Sequence, residues 1–195
     1  MRCLPQFLTI PIFAVVLAAP PTSQRSSPST FREEADGLSV YVDGYPGFLG
    51  AKDAYVAVPV AMTLLRKGPS VAFTPESFML VDAKGNRVPA ATFDEVKNGF
   101  PKLGYERNVV RMLPIVVGLT LEDRPRIAAN FYPATGAEMR IPRVELAPYT
   151  WFTDVIYFPR PPAGLGGVMT LSVAVPGGVP IDVRFLMSPN EPAKR

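Results

Sequence analysis

Two stretches of strict alternation constrain this chain more than anything else in it. Met169, Leu171, Val173 and Val175 alternate with Thr170, Ser172 and Ala174, and Ile181, Val183, Phe185 and Met187 repeat the pattern against Asp182 and Arg184. Pro176-Gly177-Gly178-Val179 lies between the two runs. Successive side chains of a strand point to opposite faces, so a period of two buries one face and leaves the other wet. Two such runs around a Gly-Gly turn specify a β-hairpin. A third run covers Tyr55–Leu65, with Val56, Val58, Val60, Met62 and Leu64 on one face and Tyr55, Ala57, Pro59, Ala61 and Thr63 on the other. It predicts a half-buried strand. Pro59 has no N–H for a ladder, which puts that stretch at an edge or a bulge, where a partner could dock by strand addition.

Shorter strands are expected at Leu38–Val42, Ser70–Phe73, Phe78–Val81, Ile127–Phe131, Val144–Leu146 and Trp151–Phe158, with a return strand beginning at Val88. Asp82-Ala83-Lys84-Gly85-Asn86 reads as a turn in which Gly85 takes positive φ. One helical insertion is expected around residues 92–113. Thr92-Phe93-Asp94-Glu95 matches the capping box, Gly99 supplies a stop, and a second helical stretch runs from Tyr105 to Leu113 before Pro114. Residues 115–126 carry no assignable pattern. Many short strands without regular helical crossovers predict a mostly β chain folded as an antiparallel β-sandwich.

Ser77-Phe78-Met79-Leu80-Val81-Asp82-Ala83-Lys84-Gly85 and Phe152-Thr153-Asp154-Val155-Ile156-Tyr157-Phe158-Pro159 carry a resemblance to the immunoglobulin-like domains of exported bacterial proteins of uncharacterised function. As an order of elements it spans roughly residues 38–188. It implies an immunoglobulin-like sandwich and transfers no active site.

The start of the chain gives an address. Met1-Arg2 is a short positive region, Leu4 to Ala19 is an apolar run, and Val16-Leu17-Ala18 puts small residues where signal peptidase needs them. The run is shorter than the roughly 20 residues of a spanning helix and contains Pro5 and Pro11. Residues 1–18 therefore read as a cleaved signal peptide, and the mature form is not expected to span a membrane. Cys3 precedes the run, on the wrong side for lipidation. Residues 19–36, rich in Ser, Thr and Pro, read as a flexible linker. The β-sandwich domain is expected over 37–189, and 190–195 as a short tail. Without cysteine after Cys3 there is no disulfide, and no Asn-x-Ser/Thr acceptor occurs. Together these point to the bacterial envelope, periplasmic or extracellular.

The chain has no histidine, which removes Ser-His-Asp and Cys-His catalysis and most zinc sites. A net charge of +3 spread among acids is not a nucleic-acid footprint. Asp82 with Asn86 falls short of a calcium ligand set, so no metal or other cofactor is expected. Asp94 and Glu95 serve the helix cap. The glycine-rich Gly164–Gly167 and Gly177–Gly178 segments lack the Lys-Ser/Thr of a phosphate loop. The methionines fill the core. Most of the aromatic group Tyr149, Trp151, Phe152, Tyr157 and Phe158 reads as core. Tyr149 and Trp151, near the strand's start, form the candidate ligand platform.

The sequence thus leads us to expect an exported, non-enzymatic binding or structural module, with another envelope protein or a glycan as partner. A carbohydrate-binding module using Tyr149 and Trp151 is one alternative. A hydrolase with two carboxylates facing each other across a cleft is another. When the full chain is expressed in a bacterium, intact-mass measurement of the protein outside the cytoplasm should place its first residue at Ala19; a species that keeps residues 1–18 contradicts the cleavage.

Overall fold

The computed structural model describes residues 24–25, 30–46, 53–100, 123–133 and 138–187. The signal segment, the helical stretch expected at 105–113 and the tail lie outside the described residues. Among the described residues the chain is mostly β, with antiparallel sheets and a short α-helix. The larger sheet has five strands in the order β1 (Gln24–Arg25), β2 (Thr30–Ala35), β3 (Leu38–Asp43), β4 (Tyr55–Leu64), β9 (Trp151–Pro159). A four-stranded sheet has the order β11 (Ile181–Leu186), β10 (Val168–Val173), β6 (Phe78–Val81), β7 (Arg87–Pro89). A two-stranded ribbon joins β5 (Val71–Phe73) to β8 (Val144–Leu146). Helix α1 (Phe93–Gly99) begins at the expected box: the Thr92 hydroxyl accepts from the Glu95 amide at 3.2 Å, and the Glu95 carboxylate accepts from the Thr92 amide at 2.7 Å.

The expected hairpin is β10–β11, in the register Leu171↔Val183 and Met169↔Phe185. Four phenylalanines close a ring of contacts through the core. Phe73 meets Phe78 and Phe152, and Phe131 meets the same two, with centroids 6.2–6.4 Å apart. All four are fully buried. Burying each contributes about 1.5–3 kcal/mol, and offset or edge-on ring pairs add about 0.5–1.5 kcal/mol.

Three expectations need correction. Residues 30–36 are not linker: β2 pairs along its whole length with β3, and Gln24–Arg25 pairs with β2. Phe31 is buried, and Asp36 and Gly37 (φ 50 and 72) make the left-handed pair that matches a hairpin's twist. The Arg32 guanidinium, the Ser39 hydroxyl and the Glu34 carboxylate then bond one another across the hairpin.

Secondly, β4 is neither at an edge nor half-buried. It lies between β3 and β9, and both its faces are covered. Pro59 is tolerated for a directional reason. The Leu65 amide donates to Gly37 and the Leu64 amide to Thr150, so odd-numbered residues of β4 turn their backbone groups towards β3 and even-numbered ones towards β9. Pro59 is odd, and the β3 pairing ends at Val42↔Val60, one residue before its missing donor would be needed.

Thirdly, residues 127–131 do not form a regular strand. They run along the open edge of β9 through a single parallel bridge, Arg126↔Trp151, in which the Ile127 amide donates to the Trp151 carbonyl at 2.7 Å. Asp154 completes the edge. Its buried carboxylate accepts from the Phe131 amide at 2.7 Å and from the Val155 amide at 2.8 Å, replacing a strand carbonyl where none is present. Losing both acceptors would leave two buried N–H groups unpaired, at about 1–3 kcal/mol each. Asp154→Ala should therefore destabilise the protein by about 3–5 kcal/mol in urea unfolding, and Asp154→Asn, which keeps one acceptor oxygen, by clearly less; equal losses would contradict the edge-capping role.

Candidate functional site

The two residues of the expected platform receive different environments. Trp151 is 8% exposed and Tyr149 48%. On β9, Trp151 shares the sheet face of Tyr41 and Ala61 and packs with them into a small cluster separate from the main core. Its indole N–H donates to the Arg124 carbonyl at 3.0 Å, and the Arg126 guanidinium covers its ring, 5.3 Å from the centroid. Arg32 covers Tyr41 in the same way at 5.4 Å. A sugar cannot stack where a guanidinium already lies. The expected Tyr149–Trp151 platform therefore reduces to Tyr149. That residue sits before β9 with φ 60, a conformation costing a bulky L-residue about 1–2 kcal/mol. Its amide donates to the Leu64 carbonyl at 2.7 Å, which fixes the turn.

Leu64 connects Tyr149 to a feature that the sequence did not mark. A cavity of about 370 Å³ opens at this end of the sandwich, between the β2–β3 turn and the β10–β11 hairpin loop. Leu38, Leu64, Val71 and Ile181 line it and are buried, while Val175, Gly178 and Val179 come from the hairpin loop. Among the described residues Asp36 and Arg66 are its only charged lining, and they pair at 3.3 Å. Arg66 is packed tightly: a Cβ at Gly37, whose φ of +72 already favours glycine, would come within 2.9 Å of the Arg66 Cβ. The Arg66 Nε is enclosed and has no hydrogen-bond partner. Val179, on the hairpin loop, is 82% exposed. Apolar walls with one or two polar groups are the usual make-up of a small-molecule site.

The carboxylates have other duties. Asp82 accepts from the amides of Lys84 and Asn86 at 2.9 Å, from the Asn86 side chain at 2.8 Å and from the Ala163 amide at 3.3 Å, so it faces donors rather than a cation's place. Burial opposes its ionisation, but these bonds outweigh it and hold the carboxyl below the usual range. Glu76 is lowered by the Thr74 side chain and its own backbone amide, and Glu95 by the amide and hydroxyl of Thr92. A general acid needs the opposite shift. Burial, reinforced by Asp154, pushes the Tyr132 phenol up, and its hydroxyl donates to the Ala91 carbonyl at 2.7 Å. Among the described residues no three His, Cys, Asp or Glu side chains gather as metal ligands, and no helix is long and apolar enough to cross a membrane.

Compared with family models, with curated proteins and with solved structures, the chain matches none.

The Asp82 shift has a consequence for acid stability. A depressed folded-state pKa contributes stability that is present above the unfolded value, about 3.9, and is lost as pH falls through the folded value. The melting temperature should therefore drop as pH falls from 5 to 2. Asp82→Asn should start lower at pH 5 and lose less over that range; a slope equal to that of the parent chain would contradict the assignment.

Proposed function

We propose that this chain is an exported, non-catalytic β-sandwich protein that serves as a binding module of the bacterial envelope, and that it binds at the end of the sandwich where the cavity opens. The observation that carries this reading is the convergence at that end. An apolar cavity, an exposed Val179 at its lip and a half-exposed Tyr149 in a costly conformation all lie within one set of turns. The open cavity and the exposed Val179 add nothing to the core, and a bound partner would cover both. The signal-like residues 1–18 support export. The three carboxylates held below their usual range suit structural bonds and not proton transfer, which favours binding over a carboxylate-only hydrolase. The immunoglobulin-like kinship belongs to the same proposal, since two packed antiparallel sheets accommodate it.

A glycan remains the second reading, and it now rests on Tyr149 alone. Its half-exposed ring offers a stacking face, and its amide is bonded to Leu64 of the cavity wall.

Gly178 offers a direct test. It lines the cavity, and a Cβ there would meet nothing nearer than Val175 Cγ1 at 3.4 Å, so Gly178→Phe should fold and fill the mouth. Native mass spectrometry of protein recovered from the envelope should show a bound small molecule on the parent chain and none on Gly178→Phe. A parent chain without adduct, or an adduct kept in full by the variant, would contradict binding at this end.

A further inference from the structure

The cavity's own chemistry narrows what enters it. Its volume of about 370 Å³ holds on the order of a dozen non-hydrogen atoms, judged by the share of liquid volume a water takes. Apart from Asp36 and Arg66, the side chains that line it are aliphatic, chief among them Leu38, Leu64, Val71, Val175, Val179 and Ile181. Among the described residues no aromatic ring lines it to stack on a sugar or a base, so an alkyl group suits the enclosed part of the ligand.

The head group is decided by the Asp36–Arg66 pair. Asp36 is well solvated, its side chain 82% exposed against 39% for Arg66. The Arg66 stem is held against Gly37, and its Nη1 lies 3.9 Å from where a Cβ on Gly68 would be. Its Nε–H is enclosed and out of a ligand's reach, and Asp36 pairs with Nη2 at 3.3 Å. Exposed ion pairs contribute little to stability, so Asp36 can be displaced into water at small cost. The Nη1 and Nη2 groups of a planar guanidinium match a carboxylate in the two-pronged manner that makes such pairs strong. An ammonium head would have to rely on Asp36, which gains little from leaving water.

We propose that the cavity takes the alkyl chain of a medium-length aliphatic carboxylate, with its carboxylate replacing Asp36 on the Arg66 guanidinium. This rests on the reading that the cavity end is the binding surface. Val179 and Gly178 of the hairpin loop lie over the chain, and Arg66 holds the head at the mouth.

Octanoate and octanol, equal in chain length and different in charge, are the probes. Titration calorimetry on the mature chain at pH 7 should show octanoate binding at least tenfold more tightly than octanol. Asp36→Asn, on a solvated side chain, should tighten octanoate several-fold by removing the competing carboxylate. Arg66→Lys keeps the charge and loses the fork, and should weaken octanoate towards octanol. Each variant is first checked for an unchanged melting transition; Asp36→Asn alone suffices if Arg66→Lys does not fold. Equal binding of octanoate and octanol, or no response to Asp36→Asn, would overturn the carboxylate assignment. Binding of neither would overturn the ligand class. In that case, an envelope adduct lost in Gly178→Phe would show that the cavity end still binds, and the absence of such an adduct would end both readings.

Discussion

The fold depends on one constraint: β4 is buried on both faces, and so is most of β9 beside it. A strand covered on both sides needs two layers of apolar partners and has no solvent to satisfy its backbone. One layer is the main core with its ring of four phenylalanines. On the other face the core continues through Ala57, Val155 and Tyr157, with Phe100 and Tyr132 against the Tyr157 ring. Further along, Tyr41, Ala61 and Trp151 make a separate cluster topped by Arg32 and Arg126. The edge of β9 is closed by borrowed partners. These are the backbone of residues 125–127, the Ala91 amide on the Tyr157 carbonyl, and the Asp154 carboxylate. Where a regular strand is missing, a side chain supplies the acceptor.

That economy shapes function. The acids with defined surroundings are engaged in holding turns, caps and edges. Asp82 ties the β6–β7 turn to the loop at residue 163, Asp154 closes β9 and Glu95 caps α1. At the end of the sandwich formed by the β2–β3 turn and the β10–β11 loop lie an apolar cavity, an enclosed Arg66 N–H and an exposed aliphatic lip. The proposed binding role rests on that end of the fold.

Much of the fold was legible because it is local. Alternation alone placed β10 and β11, the Thr92–Glu95 spacing placed α1, and Gly85 took its expected left-handed place at φ 86. The β2–β3 hairpin was equally legible in Asp36-Gly37, but the Ser/Thr/Pro composition just before it hid the signal. Pro59 misled because proline reports a missing donor without saying which neighbour faces it. A lone Asp within the apolar run from Trp151 to Phe158 was the available mark of Asp154's role. The cavity had no such mark. Its residues come from the β2–β3 turn, the end of β4, the start of β5 and the β10–β11 loop, and only strand register brings them together. The Tyr149–Trp151 pair failed as a platform because their sequence proximity concealed the change from turn to buried strand.

Amide hydrogen exchange tests the central constraint most directly. The account predicts that the slowest amides include those of Val56, Val58 and Val60–Leu64, and that Phe131 and Val155 exchange nearly as slowly, because a buried carboxylate holds them as a strand would. Exchange of Phe131 and Val155 at the rate of exposed loops, with β4 still protected, would contradict it.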